Sequence, residues 1–316
     1  MRVLLAGASG VLGRHLAREL TVAGHLVIGL GRGAGAAPPG AEFVRADLRD
    51  RDGLLRAMDG IKVDAVIHAA TGLRKTPMRH QGMATTNALR TEGMANLVEA
   101  ARLAGARRLI SESMHLGYGY GDWGDTVITE AGTAFAPPGR GRWLERHLAG
   151  FRAKDQHTFG SEGIEGISLR FGALYGPGFG AGGTDTLVQM LRRRRLPVTP
   201  GRALMHWTYL PDAATATVAA LEHGRPGHAY NIVDDEPTTF ADHIQLIAAT
   251  FRTPAPPTVP LSLLHAVGPY AYAVMTTSMR VSNAKATSEL PWAPSMPDCA
   301  AGLRATAEGV RDAPHP

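Results

Sequence analysis

The chain has 316 residues, 44% of them hydrophobic and 19% charged, which are the proportions of a folded globular protein rather than a disordered one. Its formal charge of +5 is thinly spread except at Arg192, Arg193, Arg194 and Arg195, which end a helical pattern and complement a helix dipole, so nucleic acid is not an expected partner. The single cysteine, Cys299, excludes an internal disulfide framework and a cysteine metal site, and no metal is expected.

The first element is a short apolar run, Val3, Leu4, Leu5 and Ala6, which reads as a buried strand ending on glycine. From Val11 the segment VLGRHLARELTVAG has apolar positions at helical spacing, so Gly7, Gly10 and Gly13 form a GxxGxxG pattern on a strand-to-helix turn. At such a turn Gly7 takes dihedrals that other residues avoid, Gly10 lets a pyrophosphate approach the backbone, and Gly13 lets the helix lie close to the sheet. The free N–H groups of the helix N-terminus attract phosphate. Ser9, Val11 and Leu12 lie on the same turn and join the expected contact set. A start of this kind does not read as a signal peptide, and a cytoplasmic location is expected.

Further along, HLVIGL over 25–30 is a second strand, EFVRADLRD brings a third that ends near Asp47, and DGLLRAMDG is helical. DAVIHAA over 64–70 is the fourth strand, followed by one long amphipathic helix, TTNALRTEGMANLVEAARLAGA. RRLISES is the fifth strand, WLERHLAGFRAKDQHTFGSEG another helix, and GISLRFG a further strand. This alternation predicts an α/β fold, a doubly wound parallel sheet of Rossmann type with ligands at the carboxyl ends of its strands. From Tyr175 a glycine-rich loop, YGPGFGAGGT, opens a smaller, mainly C-terminal substrate lobe. Residues 1–170 are expected to form the dinucleotide domain, with a return segment near 204–233. Residues 171–203 and 234–316 are expected to form the lobe. The uncharged stretch 253–279 is interrupted by five prolines and does not read as a membrane span.

The second strand ends in GLGRG. Where an NAD enzyme usually carries an acid for the ribose hydroxyls there is Gly31, and Arg32 follows, so the expected cofactor is NADP(H). Asp47 and Leu48 after the third strand are expected on the adenine side, and Ala69, Ala70 and Thr71 along the centre of the cofactor; Asn87 and Ser111 complete the expected set.

In order, GASGVLG, ADL, AVIHAA, NALRTEGMANLVEAARLAGARRLI, SLRFGALYGPG, WTYLPD, AYNI and SELPWAP resemble the landmarks of the extended short-chain dehydrogenase/reductases, the NAD(P)-dependent epimerase/dehydratase family. The resemblance covers nearly the whole chain. It implies a Rossmann-type domain, a nicotinamide dinucleotide, and a Ser/Thr with a Tyr-x-x-x-Lys that manages the proton. The family's common four-helix dimer face would be supplied by residues 87–104 and 143–159.

Ser113 matches the serine, but none of the seven tyrosines has lysine four residues on. Counting from Leu169 and Arg170 puts Trp143 and His147 in the places of the pair; counting from the preceding prolines gives Gly139 and Trp143. The candidates for the missing proton chemistry are Ser113, Tyr118 and His147, with His115 as a further histidine.

The apolar stretch 261–279, with Tyr270, Tyr272, Met275 and Met279, offers an aromatic, adaptable wall for a small-molecule substrate, and His206 and Trp207 are expected near it. NADP preference without Tyr-x-x-x-Lys also resembles the atypical ketoreductases of aromatic polyketides, of the angucyclinone (simocyclinone) type. That implies reduction of a polycyclic aromatic ketone, with the proton taken from substrate, water or a stand-in side chain. Two other readings are a nonenzymatic NADP-binding sensor or scaffold and a nucleotide-sugar epimerase or dehydratase.

Overall fold

The computed structural model describes residues 1–33, 42–73, 77–131, 134–139, 141–178, 180 and 183–312. Its centre is a sheet of seven parallel strands. The first five in the chain are β1 (Arg2–Ala6), β2 (Leu26–Gly31), β3 (Glu42–Arg45), β4 (Ala65–His68) and β5 (Arg108–Met114). Next come β6 (Asp122–Ile128), β7 (Glu165–Phe171), β8 (Ala173–Tyr175), β9 (Leu204–Met205), β10 (Trp207–Tyr209) and β11 (Ala229–Ile232). The spatial order is β11-β7-β5-β4-β1-β2-β3. Chain direction along the sheet reverses between β1 and β4, which opens a crevice at their carboxyl ends. Val3, Leu4, Leu5 and Ala6 are fully buried, as a parallel sheet covered on both faces requires.

The helices are α1 (Val11–Val22), α2 (Arg51–Ala57), α3 (Ala84–Arg90), α4 (Glu92–Leu103), α5 (Arg142–Phe159), α6 (Thr184–Arg192) and α7 (Leu210–His223). Leu12, Leu16 and Leu20 of α1 join Leu210, Ala213 and Leu221 of α7 on one face of the sheet, while Leu54 of α2 and Met94 and Leu97 of α4 cover the other. The helix predicted from 85 onward is two helices. At Thr91 the backbone turns to φ −99°, ψ −88°, and its hydroxyl donates to the Asn87 carbonyl at 3.1 Å, a back-bond that bends helices.

The C-terminal part holds α8 (Phe240–Thr250), α9 (Leu261–Val267), α10 (Pro269–Met275), α11 (Ala284–Glu289) and α12 (Cys299–Asp312), with β12 (Thr238–Thr239) and β13 (Ser278–Val281). Two arrangements differ from the expected ones. Strand β6, whose polar sequence DWGDTVI has no clean apolar alternation, pairs in parallel with β13, so segments about 150 residues apart make a small sheet. Of the return segment, β11 joins the main sheet beside β7, whereas β10 pairs with β8 in a separate two-stranded sheet. The glycine-rich loop after Tyr175 lies partly outside the described residues. No helix among the described residues is long and apolar enough to cross a membrane.

Candidate functional site

The turn between β1 and α1 is held by the Gly10 N–H, which donates to the Gly7 carbonyl at 2.9 Å, and by Arg14, which donates to the Ser9 carbonyl at 2.9 Å. Gly7 has φ +93°, and a Cβ there would lie 2.7 Å from the Ala69–Ala70 backbone, while a Cβ on Gly13 would lie 2.1 Å from the Gly7 carbonyl oxygen. Both positions therefore admit only glycine without displacing main chain. Above this turn, at the β1–β4 reversal, a cleft of about 400 Å³ opens. It is lined by Gly7, Ser9, Gly10, Val11, Leu12 and Gly13 from the turn, by Arg32, Asp47 and Leu48 at one end, and by Ala69, Ala70 and Thr71 along its middle. These are the expected cofactor residues except Asn87 and Ser111. The hydroxyl of Ser111 is fully buried and accepts a hydrogen bond from Thr158 at 2.9 Å, and the amide of Asn87 faces His147.

The cleft is cationic at the Asp47 end. Arg49 donates to both carboxylate oxygens of Asp47, at 3.3 and 2.9 Å, and this bond holds the carboxyl below its ordinary range, with Arg32 adding to the effect through its charge. At the position of the usual acid, a Cβ on Gly31 would meet nothing closer than Phe43 at 3.5 Å and the Ser9 hydroxyl at 3.8 Å. The cradle of glycines and free helix N–H groups, with guanidinium groups at one end, fits a dinucleotide phosphate chain.

Sequence reasoning missed several lining residues: Arg14, Arg49, Thr85, Leu89 and Glu112. Glu112 at the end of β5 is paired with Lys154, whose Nζ lies 3.4 Å from its Oε2 and 3.5 Å from the His68 carbonyl. Burial brings the Lys154 ammonium down to about 8. A signal for it was present, because Lys62, Lys75, Lys154 and Lys285 are the only lysines among 33 basic residues. An amphipathic lysine on a helix otherwise reads as solvated.

The structure separates the proton candidates. Tyr118 is buried, donating to Asn231 Oδ1 at 2.7 Å and accepting from Arg170 at 2.9 Å, while Arg170 and Ser168 both bond Asp155. In this network the hydroxyl hydrogen of Tyr118 is committed to Asn231, and burial raises the phenol's pKa. Ser113 is buried on β5 with its hydroxyl unpartnered. His115 bonds the Phe171 carbonyl at 3.0 Å, and burial lowers its pKa to about 4.

On α5, Trp143 is 44% exposed on the first turn and His147, one turn on, is buried. His147 Nε2 lies 2.9 Å from His80 Nδ1 and its Nδ1 lies 3.0 Å from Asn87 Nδ2; Tyr270 sets its edge against both imidazoles. His80 was missed because only the fold brings it to α5. His206 and Trp207 are drawn into the C-terminal core: His206 bonds the Asp234 carbonyl, and Trp207 stacks on His243 at 3.6 Å. Neither lines the dinucleotide cleft.

Known proteins resemble the chain over its full length. It is 34% identical to a 3-diazoavenalumate denitrifying reductase of a Streptomyces species over 308 residues, which covers 96% of this chain and 99% of that one. Among solved structures it superposes on the UDP-glucose 4-epimerase of Thermus thermophilus, crystallised with NAD, with a TM-score of 0.78 and 26% identity, covering 99% and 100% of the two chains. It shares its fold, with a TM-score of 0.77 and 20% identity over 98% and 99% of the chains, with a human epimerase family protein crystallised with NADPH. The profile of the NAD dependent epimerase/dehydratase family matches residues 3–233, the span that holds the glycine turn, the cleft and α5. Sheet order, cradle and profile agree: the chain belongs to the NAD dependent epimerase/dehydratase family, whose members work with a nicotinamide dinucleotide.

Proposed function

We propose that this protein is an NADPH-dependent reductase of an activated, apolar aromatic carbonyl compound, of the polycyclic or quinone-like kind. The observation that carries the reading is a complete dinucleotide cradle without the phenol and ammonium that the family places one helical turn apart. When bound, NADPH supplies a hydride, and that part of the chemistry belongs to the cofactor. Gly7, Gly10 and the α1 N-terminus hold the phosphate chain, Arg32 and Arg49 accept a 2′-phosphate, and Ala69, Ala70 and Thr71 pack along the centre.

Losing one general acid costs about 10²–10⁴-fold in rate. A quinone-like carbonyl absorbs such a loss, because a neighbouring phenol or enol stabilises the developing charge. The lobe of residues 171–203 and 234–316 covers the substrate, with Tyr270, backed by the Tyr120 ring, as an aromatic surface.

A second reading draws on the Streptomyces relative, whose name describes a denitrifying reductase of a diazo compound. An arene diazonium carbon that accepts a hydride loses dinitrogen and needs no proton at that carbon, which suits a site without the usual acid. NADPH oxidation against a panel of quinone-type ketones, with NADH and an arenediazonium as parallel arms, tests both readings. Tight NADPH binding with no turnover of any ketone overturns the first, and an inert diazonium overturns the second.

A further inference from the structure

Three side chains remote in sequence meet where the two lobes touch. His80 comes from the 3₁₀ turn ahead of α3, Asn87 from α3 itself and His147 from α5, in a chain of contacts of 2.9 and 3.0 Å. Thr85 and Leu89 of α3 line the dinucleotide cleft, and Asn87, about half a turn from both, reaches from the other side of that helix to His147. From the other lobe Tyr270 meets the His80 ring at 5.7 Å and the His147 ring at 4.9 Å, and Trp143 stacks on His80 at 5.7 Å.

The contacts constrain where the protons sit. With Asn87 Nδ2 toward His147, the imidazole protons lie on Nε2 of His147 and Nε2 of His80, and both rings are neutral. The amide's Oδ1 is buried and unpartnered. Turned by half a rotation, it accepts from Nδ1–H of His147; Nε2 of His147 then accepts from Nδ1–H of His80, and His80 can carry a second proton on Nε2. Asn87 thus supports a neutral and a cationic His80 alike, with every nitrogen of His147 bonded in both. Nε2 of the half-buried His80 is the ring nitrogen left without a protein partner among the described residues.

We propose that His80 is the proton donor to the reduced carbonyl, with His147 and Asn87 as positioning residues; this rests on the carbonyl-reduction reading above. The carbonyl carbon accepts the hydride, its π pair moves to oxygen, and the oxygen takes the Nε2 proton of cationic His80. His80 regains a proton from water, so ketone, NADPH and one proton become alcohol and NADP⁺. The charged and titratable groups facing the pair are Arg90 from α3, Arg146 from α5 and Tyr270 from α10, with Tyr120 packed behind Tyr270. Burial lowers the pKa of His80 and brings His147 to about 4, the latter helped by the charges of His80, Arg90 and Arg146. Cationic His80 becomes more populated as the pH falls.

The test compares wild type with His80→Gln and Asn87→Ala, using NADPH with a quinone-type ketone and with an arenediazonium, whose reduced carbon needs no proton. Expected for His80→Gln is a loss of about 100-fold or more in kcat for the ketone, unchanged NADPH affinity and unchanged diazonium reduction. In wild type the ketone kcat rises toward acid pH, and in the variant this slope is lost. A ketone rate within two-fold of wild type, or equal losses with both substrates, overturns the proposal. If wild type reduces no ketone, the carbonyl reading fails by itself. Imidazole ¹⁵N spectra then decide the pair: a shared N–H···N bond abolished by Asn87→Ala supports it, and two independently titrating rings overturn it.

Discussion

The ammonium of Lys154 lies 3.4 Å from the carboxylate of Glu112, the lysine 1% exposed and the glutamate reaching into the dinucleotide cleft. A charge on Lys154 is disfavoured by burial, so its folded pKa of about 8 is below the ordinary 10.5. Between these values the unfolded chain binds more protons than the folded one, and stability therefore rises with pH across that window. Lys154→Met removes the titrating group. Urea denaturation at pH 7.5 and pH 10.5 is expected to show wild type gaining stability relative to Lys154→Met at the higher pH; a difference that stays constant would refute the assignment.

The glycine turn has no spare volume at Gly13. A Cβ there would stand 2.1 Å from a main-chain oxygen, so Gly13→Ala must push α1 away from β1. Overpacking of this kind costs about 1–3 kcal/mol, and here it also displaces the N–H groups that face the phosphates. NADPH binding followed by fluorescence is expected to weaken at least ten-fold, more than the stability loss alone explains.

A Cβ on Gly31 would make only ordinary van der Waals contacts, which makes cofactor choice testable without a main-chain clash. In Gly31→Asp the new Cβ would touch Phe43 at 3.5 Å without overlap, and the carboxylate would stand beside Arg32. Hydrogen bonds to charged groups are worth about 1.5–3 kcal/mol, so the NADPH-to-NADH preference should fall by ten-fold or more. An unchanged ratio of the two dissociation constants would remove the NADP assignment.

Tyr118 separates a structural role from a catalytic one. Tyr118→Phe leaves Arg170 and Asn231 each short of a buried partner, at a cost of about 1–3 kcal/mol. The midpoint of thermal unfolding should drop while turnover per folded molecule stays within a few-fold. A hundred-fold fall in turnover at unchanged stability would instead place this phenol at the substrate.

Legibility in the sequence followed the range of the interactions. The glycine turn, β4 and the AVIHAA end of the cleft each lie within a dozen residues of sequence, and their periodicity and turn chemistry suffice to read them. The break at Thr91 was invisible because the helical pattern runs through it, and only a hydroxyl bonded to the Asn87 carbonyl marks the bend. Strand β6 was invisible for the opposite reason, since its polar pattern becomes a strand only against β13.

The sequence by itself determined the α/β alternation, the dinucleotide turn, the missing acid beside Gly31 and the absence of a Tyr-x-x-x-Lys, because each is a local pattern or a residue's identity. The tertiary structure alone decided which polar groups face one another. Ser113 and Tyr118 went into the interior, whereas His80, 67 residues from His147, came within a hydrogen bond of it. Burial and partnership are sums over distant segments, and no spacing along the chain encodes them.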